Sequence, residues 1–315
     1  YWSATELVNY VAFLPMILTF PDDPWRKLSA LLRSPPRLLG VLPFLALIVT
    51  AIAGAMIGGP GAVAFPVLAL LWCALSYSVF ITACLAFGFV AWTLLAISAG
   101  YLPMAEALSN RPALLSIRFA VSLTGIAPLV VASVMAARQE LVDRLLYLSK
   151  HDQMTGLLNR TAFIEGMERS LDIAGPASRP IAILMMDIDH FKAINDQYGH
   201  ATGDRVLVSF SRILKQSVRR SDFVGRLGGE EFAAFLDGCG ELEARAIADR
   251  INQAFADSSI CLDDGFRVTA TVSIGIAAGP SPPADARLLT VADKALYIAK
   301  RHGRNRAHWI VDDKD

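Results

Sequence analysis

From Leu38 to Ala105 the 315-residue chain carries no Asp, Glu, Lys, Arg or His. A soluble domain needs charge on its surface, so this gap excludes an ordinary globular fold for the stretch. The alternative, a buried helical core of a large soluble protein, is disfavoured by so long a run. No ionisable side chain lies deep in an apolar stretch, which names no ion or ligand site and argues against a transporter. Cysteine is scarce. Cys73, Cys84, Cys239 and Cys261 form no CxxC or other metal-ligand spacing, and they suit small buried hydrophobes or reduced thiols better than a disulfide framework. Charge is balanced, 29 Lys+Arg against 29 Asp+Glu, so no polyanion partner such as nucleic acid is implied. The chain does not open with Met, and no basic segment precedes its first apolar run. Its start is expected to be a cut through a longer protein rather than a signal peptide.

Apolar residues are in excess, at 54%, and unevenly placed. All but six of the 29 basic and all but four of the 29 acidic residues lie beyond Ala136. Five apolar stretches stand out: 7–20, 41–57, 62–80, 81–99 and 119–136. At ~1.5 Å per residue the last four reach most of the way across a ~30 Å hydrocarbon core. Gly or Pro marks the breaks, except at the weaker Ser76-Tyr77-Ser78 boundary. Arg26, Lys27, Arg33 and Arg37 put the 21–40 loop in the cytoplasm. Counting spans from there leaves 58–61 and 100–116 outside, 76–80 inside, and the polar half cytoplasmic, with Arg111 and Arg118 counting against this topology. The expected organisation is a membrane region over 1–136, a helical linker over 137–150 and a cytoplasmic domain over 151–315, in the cell inner membrane. In the linker, ARQELVDRLLYLSK, Leu141, Leu145 and Leu148 extend a seam from Val134. It suits a coiled coil with a second copy, or an amphipathic helix packing on its own domain.

Beyond His151 helix and strand alternate. An apolar run over 181–186 predicts a buried strand, and a helix opens near Asp204. Strands over 223–227 and 232–236 flank GGEE as a hairpin. Another helix follows, then a strand over 268–277 and a helix over 288–302 with Gly303 at its C-terminal cap. The order βαββαβ predicts a ferredoxin-like α+β fold, an antiparallel sheet with helices on one face.

Asp187 then ends a central strand, with Glu230 and Glu231 at the tip of the neighbouring hairpin. Adjacent side chains on a strand point to opposite faces, so one glutamate can join Asp187 while the other serves a different task. A few hard oxygen ligands combined with phosphates are what Mg²⁺ takes, and two such ions suit phosphoryl transfer. Taken alone, GGEE is a hairpin tip; Asp187, Lys300 and Arg304 point further.

GGEEF, with DIDHFKAIND before it, HDQMTGLLNR at the domain start and ADKALYIAKRHGRNR at the end, resembles a GGDEF-domain diguanylate cyclase over roughly 151–308. The run Gly59-Pro60-Gly61-Ala62-Val63-Ala64-Phe65-Pro66 before Leu70-Leu71-Trp72 resembles the later helices of a MASE-type membrane sensor. The resemblance implies a nucleotide-cyclase and polymerase-palm-like domain that is active as a homodimer. Each domain would hold one GTP, and two GTP would become cyclic di-GMP and two pyrophosphates. It implies two Mg²⁺ (or Mn²⁺) ions per site, with Asp187, the Ile188 carbonyl and Glu230 as metal ligands. Glu230 or Glu231 would help deprotonate the attacking 3′-hydroxyl. Phe191, Lys192, Gly228, Gly229, Lys300 and Arg304 would meet the phosphates; Lys300 also reads as a cation complementing a helix C-terminus. Asn195 and Asp204 would read guanine, where the residues alone allow a turn and a helix N-cap. His200 lies near that pocket, as a contact or as a plain loop histidine. Arg219, Asp222 and Arg250 match an RxxD site where product binds and inhibits; otherwise they end a helix and begin a strand. Two departures are small: Glu230 stands for Asp, and Met154 for Leu. A non-catalytic receptor for GTP or cyclic di-GMP is the competing class.

Overall fold

Gly58 and Pro60 at one break, and the polar Tyr77-Ser78 at the next, interrupt the uncharged run. Helix α1, Leu38–Ile57, is followed by a 3-10 turn over Pro60–Ala64 and by α2, Phe65–Ser76. Tyr77 then turns extended and its hydroxyl donates to the Gly40 carbonyl at 2.7 Å. Ser78 starts α3, Val79–Ser98, its hydroxyl accepting from the Ile81 N–H. The expected apolar span over 62–80 is therefore corrected. With the 3-10 turn that leads into it, the helical run there is Gly61–Ser76, about 24 Å at 1.5 Å per residue and short of a ~30 Å core. The computed structural model describes residues 10, 13–20, 38–58, 60–100, 111–174, 179–261, 267–280 and 287–311. Among these, three helical segments are long and apolar enough to cross a membrane, Gly40–Ile57, Val79–Ser98 and Phe119–Lys150. The third belongs to α4, a continuous helix over Arg111–Lys150. The first expected stretch is described only at residue 10 and over 13–20, and the basic loop that oriented the topology lies outside the described residues. Contacts divide the chain into two units, Tyr1–Asp143 and Arg144–Asp315.

In the second unit, β1 (Leu158–Asn159) leads into α5 (Arg160–Ala174) and then β2 (Pro180–Ile188). Helices α6 (Phe191–Tyr198) and α7 (His200–Ser217) follow, then the hairpin β3 (Phe223–Gly228) and β4 (Glu231–Asp237). After α8 (Glu241–Ala256) come β5 (Ile260–Cys261), β6 (Arg267–Val268), β7 (Val272–Pro280), α9 (Arg287–Arg301) and β8 (Ala307–Val311). The sheet order is β1-β3-β4-β2-β7-β8. Its four inner strands pair antiparallel, and β1 and β8 join the edges in parallel. Strand β2 is buried from Ile181 to Ile188 because both faces are covered. Ala182, Leu184, Met186 and Ile188 pack with residues of α7 and α8, whereas Ile181, Ile183 and Met185 pack with α5 and α9.

Three further expectations are corrected. Helices cover both faces of the sheet rather than one, because α5 and α9, outside the βαββαβ core, close the second face. The strand expected over 268–277 is two pieces: β6 pairs with β5 in a separate ribbon, and Thr271 leaves the ladder to bind Asp189. The helix expected near Asp204 opens at His200, directly after Gly199, whose φ of 80° breaks the chain between α6 and α7.

Candidate active site

The end of β2 and the β3–β4 turn meet. Asp187 pairs in register with Glu231, and the Ile188 N–H donates to the Glu230 carbonyl at 3.3 Å. Cross-strand partners share a face, so Glu231 points with Asp187 and Met185. It lines a cavity of about 360 Å³ with Arg160, Phe163 and Asp293. Glu231, not Glu230, is thus the ladder partner of Asp187, while Glu230 lies in the turn. Gly229, with φ 49°, makes the turn, and a Cβ at Gly228 or Gly229 would meet nothing within 4 Å. The space above the hairpin is open to a ligand.

Asp187 is 8% exposed. Burial pushes its carboxyl above the usual range; Lys300 opposes this, and Glu230 and Glu231 reinforce it. The Lys300 ammonium stands 2.8 Å from Asp187 Oδ2, so the expected phosphate ligand rests on the expected metal ligand. Gly275 makes this approach possible: a Cβ there would lie 2.1 Å from the Ala292 carbonyl of α9. Among the described residues no three His, Cys, Asp or Glu side chains converge on one point. A buried carboxylate already facing a cation, beside a second carboxylate and a strand-end carbonyl, nonetheless suits a hard divalent ion sharing its shell with phosphate.

Asn195 on α6 faces Gly203 on α7, and a Cβ at Gly203 would fall 1.9 Å from Asn195 Oδ1 and 3.2 Å from the Phe191 ring. Asp204 follows, exposed, so the expected guanine pair sits on two adjoining helices. Lys192 and His200 are exposed, at the first turn of α6 and the first residue of α7.

The RxxD residues lie before the other end of β3, about 20 Å from the hairpin tip at ~3.3 Å per residue. Asp222 accepts from the Arg219 N–H at 2.8 Å and the Asp237 N–H at 3.2 Å. The Arg219 guanidinium pairs with Glu243, and Arg250 donates to the Ser217 carbonyl at 2.6 Å.

Several residues escaped the sequence reading. Asp152 accepts from the Thr155 N–H and hydroxyl at 2.9 and 2.7 Å, a turn that the D-x-x-T spacing encodes. It also binds Arg226 Nη1 at 3.1 Å, and Arg226 Nε donates to the Gly229 carbonyl at 2.9 Å. The domain start thereby braces the hairpin. Asp189, Glu243 and Gly275 act through neighbours distant in sequence, and Gly203 through Asn195 on the preceding helix, so no periodicity reveals them.

Residues 149–306 match the family described as diguanylate cyclase, GGDEF domain. The probable diguanylate cyclase DgcF of Escherichia coli K12 is 32% identical over 273 residues, covering 84% of this chain and 85% of its own. The chain belongs to the GGDEF diguanylate cyclase family. Diguanylate cyclase DosC of Escherichia coli K12 is 37% identical over 180 residues, 56% of this chain and 38% of that protein. Among solved structures, the coiled coil and GGDEF domain of DgcB from Caulobacter crescentus, in complex with c-di-GMP, aligns with TM-score 0.55 and 27% identity. That alignment covers 58% of this chain and 98% of DgcB's. This GGDEF protein is a diguanylate cyclase, and the DgcF likeness is longer than the GGDEF domain itself.

Proposed function

We propose that this cyclase condenses two GTP into cyclic di-GMP and two pyrophosphates, as a membrane-tethered homodimer with one GTP in each domain. The 3′-hydroxyl of each GTP attacks the α-phosphate of the other, a P–O bond forms, and pyrophosphate leaves. The observation that carries this reading is the convergence of Asp187, Ile188, Glu230, Glu231 and Lys300 at one end of the sheet. Asp187, the Ile188 carbonyl and Glu230 would hold Mg²⁺ or Mn²⁺, two ions per site, which supplies charge neutralisation at the phosphates and at the 3′-oxygen. Glu230 or Glu231 takes the 3′-hydroxyl proton. Lys300 would meet the phosphates beside Arg304, Lys192, Phe191 and the Gly228-Gly229 backbone. Asn195 and Asp204 read the guanine edge, with His200 near by.

The long apolar helices, exposing Met56 and Leu95 at 83% and 66%, support a MASE-type sensor over 1–136 in the inner membrane. The linker 137–150 then carries its signal to a cytoplasmic catalytic domain over 151–315. Cyclic di-GMP binding at Arg219, Asp222 and Arg250 inhibits the enzyme.

The test is the full chain in detergent micelles, with GTP and Mg²⁺. Cyclic di-GMP should form, and Glu230→Ala should abolish it; turnover retained by that variant would refute the metal assignment.

A further inference from the structure

Gly303, Arg304 and Asn305 all have positive φ, 108°, 62° and 46°. Only the first is glycine, so the turn from α9 to β8 adopts a path that side chains disfavour. It is pinned at both ends. The Arg304 N–H donates to the Ala299 carbonyl at 3.1 Å, closing α9, and the Ile274 N–H donates to the Arg306 carbonyl at 2.9 Å, opening β8. Between these points the Asn305 N–H donates to Asp189 Oδ2 at 2.9 Å.

Asp189 is 4% exposed. Its carboxylate also accepts from the Thr271 and Ser273 hydroxyls, each at 2.7 Å, and its own N–H donates to the Thr271 carbonyl at 2.8 Å. One buried carboxylate thus ties together the end of β2, the start of β7 and the turn that carries Arg304. It also stands two residues from Asp187 on one side and two from Phe191 on the other. A negative charge that deep would repel a triphosphate if it faced one; here its lone pairs are spent on donors from the protein.

We propose that Asp189 is a positioning residue of the triphosphate site, fixing Arg304 relative to Asp187 and the first turn of α6 without touching nucleotide. This rests on the reading of Arg304 as a phosphate ligand. A merely structural carboxylate would lower stability when changed but leave nucleotide affinity intact in the molecules that fold.

The test uses the full chain in detergent micelles, measuring KM for GTP, kcat and thermal unfolding for D189N, S273A, R304A and the D189N/R304A double variant. D189N should raise KM about tenfold or more, as small misplacements in a site do, with a much smaller change in kcat. S273A removes one of the three side-chain and backbone donors. It should raise KM in the same direction, which keeps the test open if D189N folds poorly. In the R304A background D189N should add nothing to KM, because both changes remove one interaction. A raised KM for R304A but not for D189N or S273A would overturn the positioning role alone, as would effects that multiply in the double variant. An unchanged KM in R304A would overturn the phosphate reading, and the positioning role with it.

Discussion

Asp187 and Asp152 are carboxylates that folding perturbs in opposite directions. Burial raises Asp187, so its share of stability is full below the ordinary value near 3.8 and is lost as pH rises through the higher folded value. Where it is ionised, Asp187 is a charge that burial disfavours and that Lys300 only partly offsets. Asp187→Asn is expected to keep or raise the melting temperature at pH 7 while abolishing cyclic di-GMP formation. Added Mg²⁺ should raise the melting temperature of the parent protein but not of the variant; scanning fluorimetry reads both. For Asp152, burial also acts upward, but the Thr155 hydroxyl and N–H, with Arg226, outweigh it and hold the carboxyl below its usual range. Its contribution is present above about 3.8 and is lost as pH falls through the lower folded value. Asp152→Asn leaves the Arg226 fork, 13% exposed, with a poorer acceptor, a loss of about 1–3 kcal/mol for a buried charged group. Urea unfolding at pH 7 measures it. At Gly203 the prediction is steric: Gly203→Ala displaces Asn195 and should raise KM for GTP about tenfold, equivalent to 1.4 kcal/mol.

Among the elements, α4 leaves Leu141, Leu145 and Leu148 exposed at 58%, 57% and 40%. That stripe has the spacing of a seam. Leu145→Asp is expected to lower activity at dilute protein and to regain it at high concentration, with a matching fall in dimer by light scattering. An unchanged concentration dependence would sink the seam. Element type was legible wherever the period was strong: the apolar run of β2 has no alternative once both its faces are covered. The 268–277 run read as one strand because Val268 and Val272 are both apolar. Its break is set by Asp189, 82 residues from Thr271 in sequence, and no local window contains that.

At the scale of the whole molecule, the proposed feedback of product on its own synthesis would act through residues about 20 Å from the hairpin tip, counted along β3. Arg219 is already engaged by Glu243, so in that proposal the phosphates of cyclic di-GMP would compete with a carboxylate for it. Glu243→Gln should lower the concentration for half-inhibition about two- to fivefold, the worth of a partly exposed ion pair. Arg219→Ala should relieve inhibition, and product titrations of the full chain read both. An inhibition curve unmoved by Arg219→Ala would refute the product site itself.

The amino-acid sequence by itself determined the division into an apolar and a polar half, the strand and helix types, and the residues able to carry the chemistry. Composition and periodicity act locally, and signature motifs need no knowledge of their neighbours. Tertiary structure alone decided which of those residues meet. It set Glu231 rather than Glu230 across from Asp187, because register fixes which side chains share a face. It brought Lys300 onto Asp187, because Gly275 lets α9 lie against the sheet. It also made Asp189 hold the Arg304 turn, a contact spanning 116 residues. Such pairings follow from packing two helical layers on one sheet, and no spacing in the chain encodes them.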